Sequence, residues 1–316
     1  MSKETVNRRN ILKLFGLTAM APLLPEWSEA ARPVPTTAAA LSFKYCLNMS
    51  TIRGHKLGFI KELQTASKAG FRAVEIWMNS LQTYLSGGGT IREAKKQIDD
   101  LGLTIENCIG FAEWIVDDDT KRSQGLELMK KEMDILAQIG CTRTAAPPMG
   151  ATATAGLDLK KAAERYRAVL QLGDQTGVVP HLELWGFSKN LSRVSEVYYV
   201  ALESGHPSAK VLLDVYHLYK GGSPLETLSL INPYSVDILH MNDYPAQLSS
   251  SVITDADRIY AGDGIAPIQK ILKYLGKPDK PLVLSTEVFN KDYYAQDALV
   301  VAKTSLDKMK KVTKGL

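Results

Sequence analysis

Residues 178–215 read VVPHLELWGFSKNLSRVSEVYYVALESGHPSAKVLLDV, and this stretch decides the fold. Val178–Leu184 is a short apolar run with strand character. Val194–Ser204 is an amphipathic stretch with helix character. Lys210–Val215 is a second apolar run. Strand, helix and strand in that order form a βα unit, in which neighbouring strands lie parallel.

The same alternation continues on both sides. Upstream strands are expected at Phe43–Asn48, Ala73–Ile76, Thr104–Ile109 and Arg143–Ala146, and downstream ones at Ser235–Met241 and Leu282–Val288. Amphipathic stretches at Gly58–Ala69, Ile91–Leu101, Gln124–Ile139, Asp158–Thr176 and Gln296–Val312 lie among them. Eight such units over residues 41–316 predict a single-domain α/β protein, a (β/α)8 TIM barrel, whose usual size is about 250 residues. A doubly wound open sheet would carry a glycine-rich phosphate turn after its first strand, and Asn48-Met49-Ser50-Thr51 is not one. Gly87-Gly88-Gly89 reads as a loop after the second strand. The longest loop runs from Asn242 to about Ala266, after the seventh.

The chain of 316 residues is 45% hydrophobic and 23% charged, which excludes disorder and collagen-like repeats. Its net charge is +4, and the first forty residues hold five basic and three acidic side chains. The remainder is nearly neutral and offers no electrostatic footprint for nucleic acid or an anionic membrane. Cys46, Cys108 and Cys141 are odd in number and far apart, so they read as buried small hydrophobes rather than a disulfide framework or zinc knuckle.

Residues 1–40 read as an export signal and linker. Asn7-Arg8-Arg9-Asn10-Ile11-Leu12-Lys13 resembles a twin-arginine signal, and the apolar run Leu14–Leu24 behind it is shorter than the about 20 residues a spanning helix needs. Ser28-Glu29-Ala30 and Ala38-Ala39-Ala40 are small-residue cleavage sites. The expectation is a periplasmic or otherwise exported protein without a stable membrane anchor.

Barrel active sites sit where strands end. Here four successive strands end in metal-capable side chains: Glu183, Asp214, His240 and Glu287. One acid at a strand end usually caps a helix or meets solvent. Four, each inside an apolar run, would crowd three carboxylates into a dry space, where they repel and lose hydration. One divalent cation resolves both problems. Three oxygen ligands and one imidazole favour Mn²⁺ or Mg²⁺; Co²⁺ and Zn²⁺ also suit.

At these residues the chain resembles the xylose-isomerase-like barrels, the sugar phosphate isomerase/epimerase superfamily that also contains endonuclease IV. The likeness covers about Leu41 to Val312. It is carried by Leu182-Glu183, Asp214-Val215-Tyr216-His217, His240-Met241-Asn242-Asp243, Arg258 with Gly262-Asp263-Gly264, and Thr286-Glu287. It implies that Glu183, Asp214, His240 and Glu287 hold one metal and that His217 and Arg258 touch substrate oxygens. The family's proline before the glycine turn is Ala261 here.

The implied activity is a metal-dependent sugar isomerase or epimerase. A carboxylate removes the proton beside a metal-bound carbonyl, and an enediolate forms. Glu183 and Glu287 are the candidate acid–base pair. If a leaving group stands β to the carbonyl, the same chemistry becomes elimination, so a keto-sugar, keto-glycoside or keto-inositol lyase is the alternative. Glu75, beside Trp77, is placed as a ligand for a substrate hydroxyl, with a rim salt bridge as its other reading. Trp114, Phe111 and Trp185 are placed as pocket walls against sugar C–H faces, core packing being the alternative. Glu113 shares a loop with Trp114. His181 reads as a buried, hydrogen-bonded histidine, and His55 and His206 as loop residues. An endonuclease would need further histidines on strands two and three, where Ala73–Trp77 and Thr104–Ile109 have none. A noncatalytic sugar-binding barrel would have no need of both glutamates at a metal.

Overall fold

The structure, a computed structural model, describes residues 40–316. The export-signal reading falls almost wholly on residues 1–39, outside the described residues. Eight strands form the sheet: β1 Phe43–Asn48, β2 Ala73–Trp77, β3 Thr104–Ile109, β4 Arg143–Ala146, β5 Val179–Glu183, β6 Lys210–Asp214, β7 Ile238–Met241 and β8 Leu282–Thr286. The helices are α1 Phe59–Ala69, α2 Met78–Ser86, α3 Ile91–Asp100, α4 Asp119–Gln138, α5 Leu159–Thr176, α6 Val194–Glu203, α7 Val215–Lys220, α8 Ile268–Leu275, α9 Lys291–Tyr294 and α10 Ala298–Thr313.

All strand pairs are parallel, in the order β3-β2-β1-β8-β7-β6-β5-β4. This is the (β/α)8 barrel, closed but for the seam between β3 and β4. Side chains bridge the seam: Thr144 Oγ1 donates to the Cys108 carbonyl at 3.2 Å, and Arg143 donates to that of Glu106 at 3.2 Å. Most apolar burial lies between the sheet and its helices, where α5 contributes Ala162, Tyr166, Val169 and Leu170. Aspartates cap α4, α5 and α10 (Asp118, Asp158, Asp297), satisfying N–H groups that each helix start leaves without partners.

A smaller apolar cluster includes Ala73, Leu212, Ile238 and Val283. Each stands two residues before a polar group: Glu75, Asp214, His240 and Ser285. Strand side chains alternate faces, so the polar groups form a layer directly above the apolar one. The register sets Asp214 beside His240 and His240 beside Ser285.

Four strands are shorter than the sequence suggests, β6 and β7 for a visible local reason. β5 starts at Val179 and stops at Glu183. β6 stops at Asp214 because that side chain turns to cap α7. β7 starts only at Ile238, because Pro233–Ser235 forms a 3-10 turn capped by Asn232. β8 ends at Thr286, which leaves Glu287 one residue beyond it, although its N–H still donates to the Met241 carbonyl at 3.0 Å. The helix α2 occupies what reads as loop, so the triple glycine follows α2 rather than β2. No helix among the described residues is long and apolar enough to cross a membrane.

Candidate functional site

His240 is fully buried and its two nitrogens face different groups. Nε2 lies 3.0 Å from Glu75 Oε1. Nδ1 faces three carboxylates: Glu287 Oε2 at 3.2 Å, Asp214 Oδ2 at 3.6 Å and Glu183 Oε1 at 3.8 Å. Nδ1 makes no hydrogen bond, and neither does Glu183 Oε2. Ligand atoms of Asp214, His240 and Glu287 lie within 4.8 Å of one another. The four predicted strand-end residues are therefore brought to one place.

These atoms suit a divalent cation. With its proton on Nε2 toward Glu75, His240 aims a lone pair from Nδ1 at three anionic groups. That arrangement is unfavourable in a dry interior unless positive charge stands between them. Three carboxylates and one imidazole are a hard-to-borderline donor set. Glu183, Asp214, His240 and Glu287 would hold the ion.

Glu75 does not line the cavity, so it is not a ligand for a substrate hydroxyl there, nor does it sit in a rim salt bridge. It is fully buried beneath the site, where it accepts from Asn48 Nδ2 (2.9 Å), Asn107 Nδ2 (2.7 Å) and Ser285 Oγ (2.5 Å) as well as facing His240. The β2–β3 register shifts between Val74 and Glu75 and sets Asn107 opposite Glu75. Burial works to raise the Glu75 carboxyl, but His240 and these donors outweigh it and lower it. Sequence reasoning passed over Asn48, which also donates to Glu287 Oε1 at 3.0 Å and accepts from Trp77 Nε1 at 2.9 Å. It also gave no role to Asn242, whose amide donates to both Asp214 oxygens (3.2 and 3.1 Å). Asn48 occupies the end of β1, the position rule that exposed the four ligands, and was legible by it.

Arg258 reaches the site because its loop is pinned. Asp243 and Ile259 exchange backbone hydrogen bonds, and the Asp243 carboxylate accepts from the N–H groups of Tyr244, Gly262 and Ala266. Gly262 has φ +87°, and a Cβ on Gly264 would collide with the Tyr244 carbonyl and the Asp243 carboxylate. The turn closes with Ala261 in place of the proline. Arg258 Nη1 donates to Asp214 (2.9 Å) and Glu287 (2.7 Å), and Nη2 to Asp255 and to His217 Nε2, the last at 3.2 Å. Burial raises the Asp214 carboxyl, but the Arg258 guanidinium dominates and holds it well below the usual carboxylate range.

An arginine only donates, so His217 Nε2 accepts and its proton sits on Nδ1, which has no partner. Burial depresses this imidazole to about 4 against the pull of Asp214. His217 is thus a neutral donor. Burial pushes the Glu183 carboxyl up to about 8, with His240 partly opposing.

Above these groups lies a cavity of about 350 Å³ walled by Trp77, Phe111, Trp185, Phe187 and Phe289, with Glu183, His217, Arg258 and Glu287 in its lining. Trp185 and Phe111 stand where a pocket wall was expected. Trp114 does not: it is fully buried, donates from Nε1 to the Pro147 carbonyl at 2.8 Å and packs on Tyr166 at 5.9 Å. A tight turn from Ala112 to Trp114 directs it into the core. Glu113 is half-buried and also outside the cavity, as are His55 and His206. His181 is buried, but its Nδ1 has no hydrogen-bond partner.

The sequence model of the family described as xylose isomerase-like TIM barrel matches residues 63–312. The chain belongs to this family. Among curated relatives, an inosose isomerase of Halalkalibacterium halodurans is 23% identical over 273 residues, covering 84% of this chain and 94% of its own. A crystal structure of IolI protein with a bound zinc atom superposes with a TM-score of 0.78 at 20% identity, over 86% of this chain and 98% of that one. An L-ribulose 3-epimerase structure superposes with a TM-score of 0.69 at 16% identity, over 86% and 95%.

Proposed function

We propose that this protein is a sugar isomerase or epimerase that moves a proton at the carbon beside a carbonyl of an unphosphorylated sugar or cyclic polyol ketone. One observation carries the reading: two carboxylates, Glu183 and Glu287, line one aromatic-walled cavity and both face Nδ1 of His240. The inosose isomerase relative agrees with it. A divalent cation held by Glu183, Asp214, His240 and Glu287 would supply Lewis-acid polarisation of the carbonyl and its neighbouring hydroxyl.

The chain's own residues do the rest. Glu183 has one carboxylate oxygen free of hydrogen bonds and lines the cavity, so it is placed to take and return a proton. Glu287 is held by Asn48 and Arg258 and faces the cavity from beyond β8. His217 offers its Nδ1 proton to a substrate oxygen that gains charge. The aromatic walls stack on C–H faces and exclude water. Among the described residues, the one cation in the cavity's lining is Arg258, whose charge Asp214, Glu287 and Asp255 already match.

The test is deuterium wash-in from D₂O, with Mn²⁺ or Zn²⁺ supplied, over a panel of inososes, ketohexoses and 3-keto-glucosides. Exchange into one substrate class with a mass-conserving product supports the reading. Loss of water or an aglycone would make the enzyme a lyase using the same carboxylates. No exchange across the panel would contradict both.

A further inference from the structure

The loop after β1 and the helices α1 and α2 border a second cavity, of about 610 Å³. Among the described residues, Trp77 alone lines both cavities. Over its ring lies Arg53, whose guanidinium carbon is 4.1 Å from the centroid. The covered indole separates the outer cavity from the inner one, so a ligand here is not part of a substrate held there.

The outer lining gathers positive charge. Arg53, Lys56 and Lys61 all belong to it and all three are exposed. None of them forms an ion pair among the described residues. Its one acid is Glu62, which is buried in the wall and accepts from Ser80 Oγ at 2.8 Å. Even with Glu62 ionised, three cations against one carboxylate leave two positive charges unmatched. Burial raises the Glu62 carboxyl above its usual range, Ser80 and Arg53 partly opposing, which weakens its claim on the cations further. Like charges gathered around one cavity repel, and an anion between them relieves that repulsion. Stacking occupies the flat face of the Arg53 guanidinium and leaves its N–H edge for a carboxylate or phosphate.

The walls between the cations are apolar. Phe59 and Tyr84 pack with ring centroids 5.7 Å apart, and Met49 and Leu57 adjoin them. The volume falls within the about 300–1,000 Å³ of small-molecule sites. A bare inorganic anion would leave the aromatic surface uncovered, and a neutral ring would leave the charges unmatched. A ligand carrying both an apolar body and an anionic head satisfies both parts of the lining.

We propose that the outer cavity is a binding site for a small organic anion, a phosphate ester or a dicarboxylate on a ring-shaped body, held by Arg53, Lys56 and Lys61. The site goes beyond the proton transfer proposed above and does not depend on it.

Calorimetric titration of the full chain compares phenyl phosphate and isophthalate with inorganic phosphate, which lacks the ring, and benzyl alcohol, which lacks the charge. It is repeated on Arg53→Ala, on the double variant Lys56→Ala with Lys61→Ala, and on Lys68→Ala. Lys68 is exposed on the same helix, α1, and lies outside the cavity. At least one aromatic anion should bind about tenfold or more tightly than both controls, and the tighter of the two identifies the head group as phosphate ester or dicarboxylate. The double variant should lose about tenfold or more of that affinity, Arg53→Ala should weaken it, and Lys68→Ala should leave it within about twofold. Aromatic anions that bind no better than the controls would overturn the site. So would a double variant or an Arg53→Ala variant that binds like the parent, since the anion would then lie elsewhere. A loss in Lys68→Ala as large as in the double variant would reduce the effect to general surface charge and also overturn it.

Discussion

His240 and Glu75 meet at 3.0 Å, Nε2 to Oε1, with both side chains fully buried at the centre of the barrel. This pairing decides which imidazole nitrogen faces the three other carboxylates. Glu75→Gln keeps the volume and removes the charge that orients the ring. Partners of this kind contribute about 10–100-fold to metal affinity. Titration of the variant with Mn²⁺ or Zn²⁺ should show a loss of that size, and unchanged affinity would show that Nδ1 needs no such support.

The two tryptophans that both read as pocket walls should separate. Trp114→Ala removes a core side chain and should lower stability by about 3–5 kcal/mol, seen in chemical denaturation, with little change in KM at a temperature where the variant is folded. Trp185→Ala should raise KM at small cost in stability. The reverse pattern would contradict their placement.

Glu132, on α4, is a buried carboxylate that accepts from Gln82 at 3.2 Å. Burial pushes it up to about 7, the Gln82 bond partly opposing. The folded state therefore binds this proton more tightly than the unfolded chain does, and stability falls as pH rises from the ordinary carboxylate range to about 7. Glu132→Gln removes that loss. The variant should exceed the parent in denaturant stability by about 1–3 kcal/mol at pH 8 and by little at pH 5. An equal difference at both values would rule out the titration.

Export is proposed on Arg8-Arg9 and the apolar run behind them. Mass spectrometry of the protein from its native host should find a mature N-terminus after Ala30 or Ala40. Replacing both arginines by lysine should retain the full chain in the cell. A secreted protein starting at Met1 or Ser2 would refute this.

The barrel and its site were legible to different depths. Strand ends showed Glu183, Asp214, His240 and Glu287 because period-two alternation and one position rule suffice to bring them to the axis. Asn48 and Asn242 stayed without a role because an amide gains meaning only from the carboxylate opposite it, here Glu287 and Asp214. Glu75 was found but misplaced: its position at the end of β2 is plain, whereas its partners come from β1, β3, β7 and β8. Trp114 follows Phe111 by three residues, and a tight turn sends the two in different directions, which no periodicity reports.

The central claim is that Glu183 and Glu287 transfer a substrate proton in one cavity. Glu287→Gln keeps a ligand oxygen and the side-chain volume but removes the basic carboxylate. Its rate of solvent deuterium incorporation, at saturating Mn²⁺ on whichever ketone the parent exchanges, should fall by at least about a hundredfold, the scale of a general base. The variant should still bind the metal. A Glu287→Gln enzyme that exchanges deuterium at the parent rate would contradict the account.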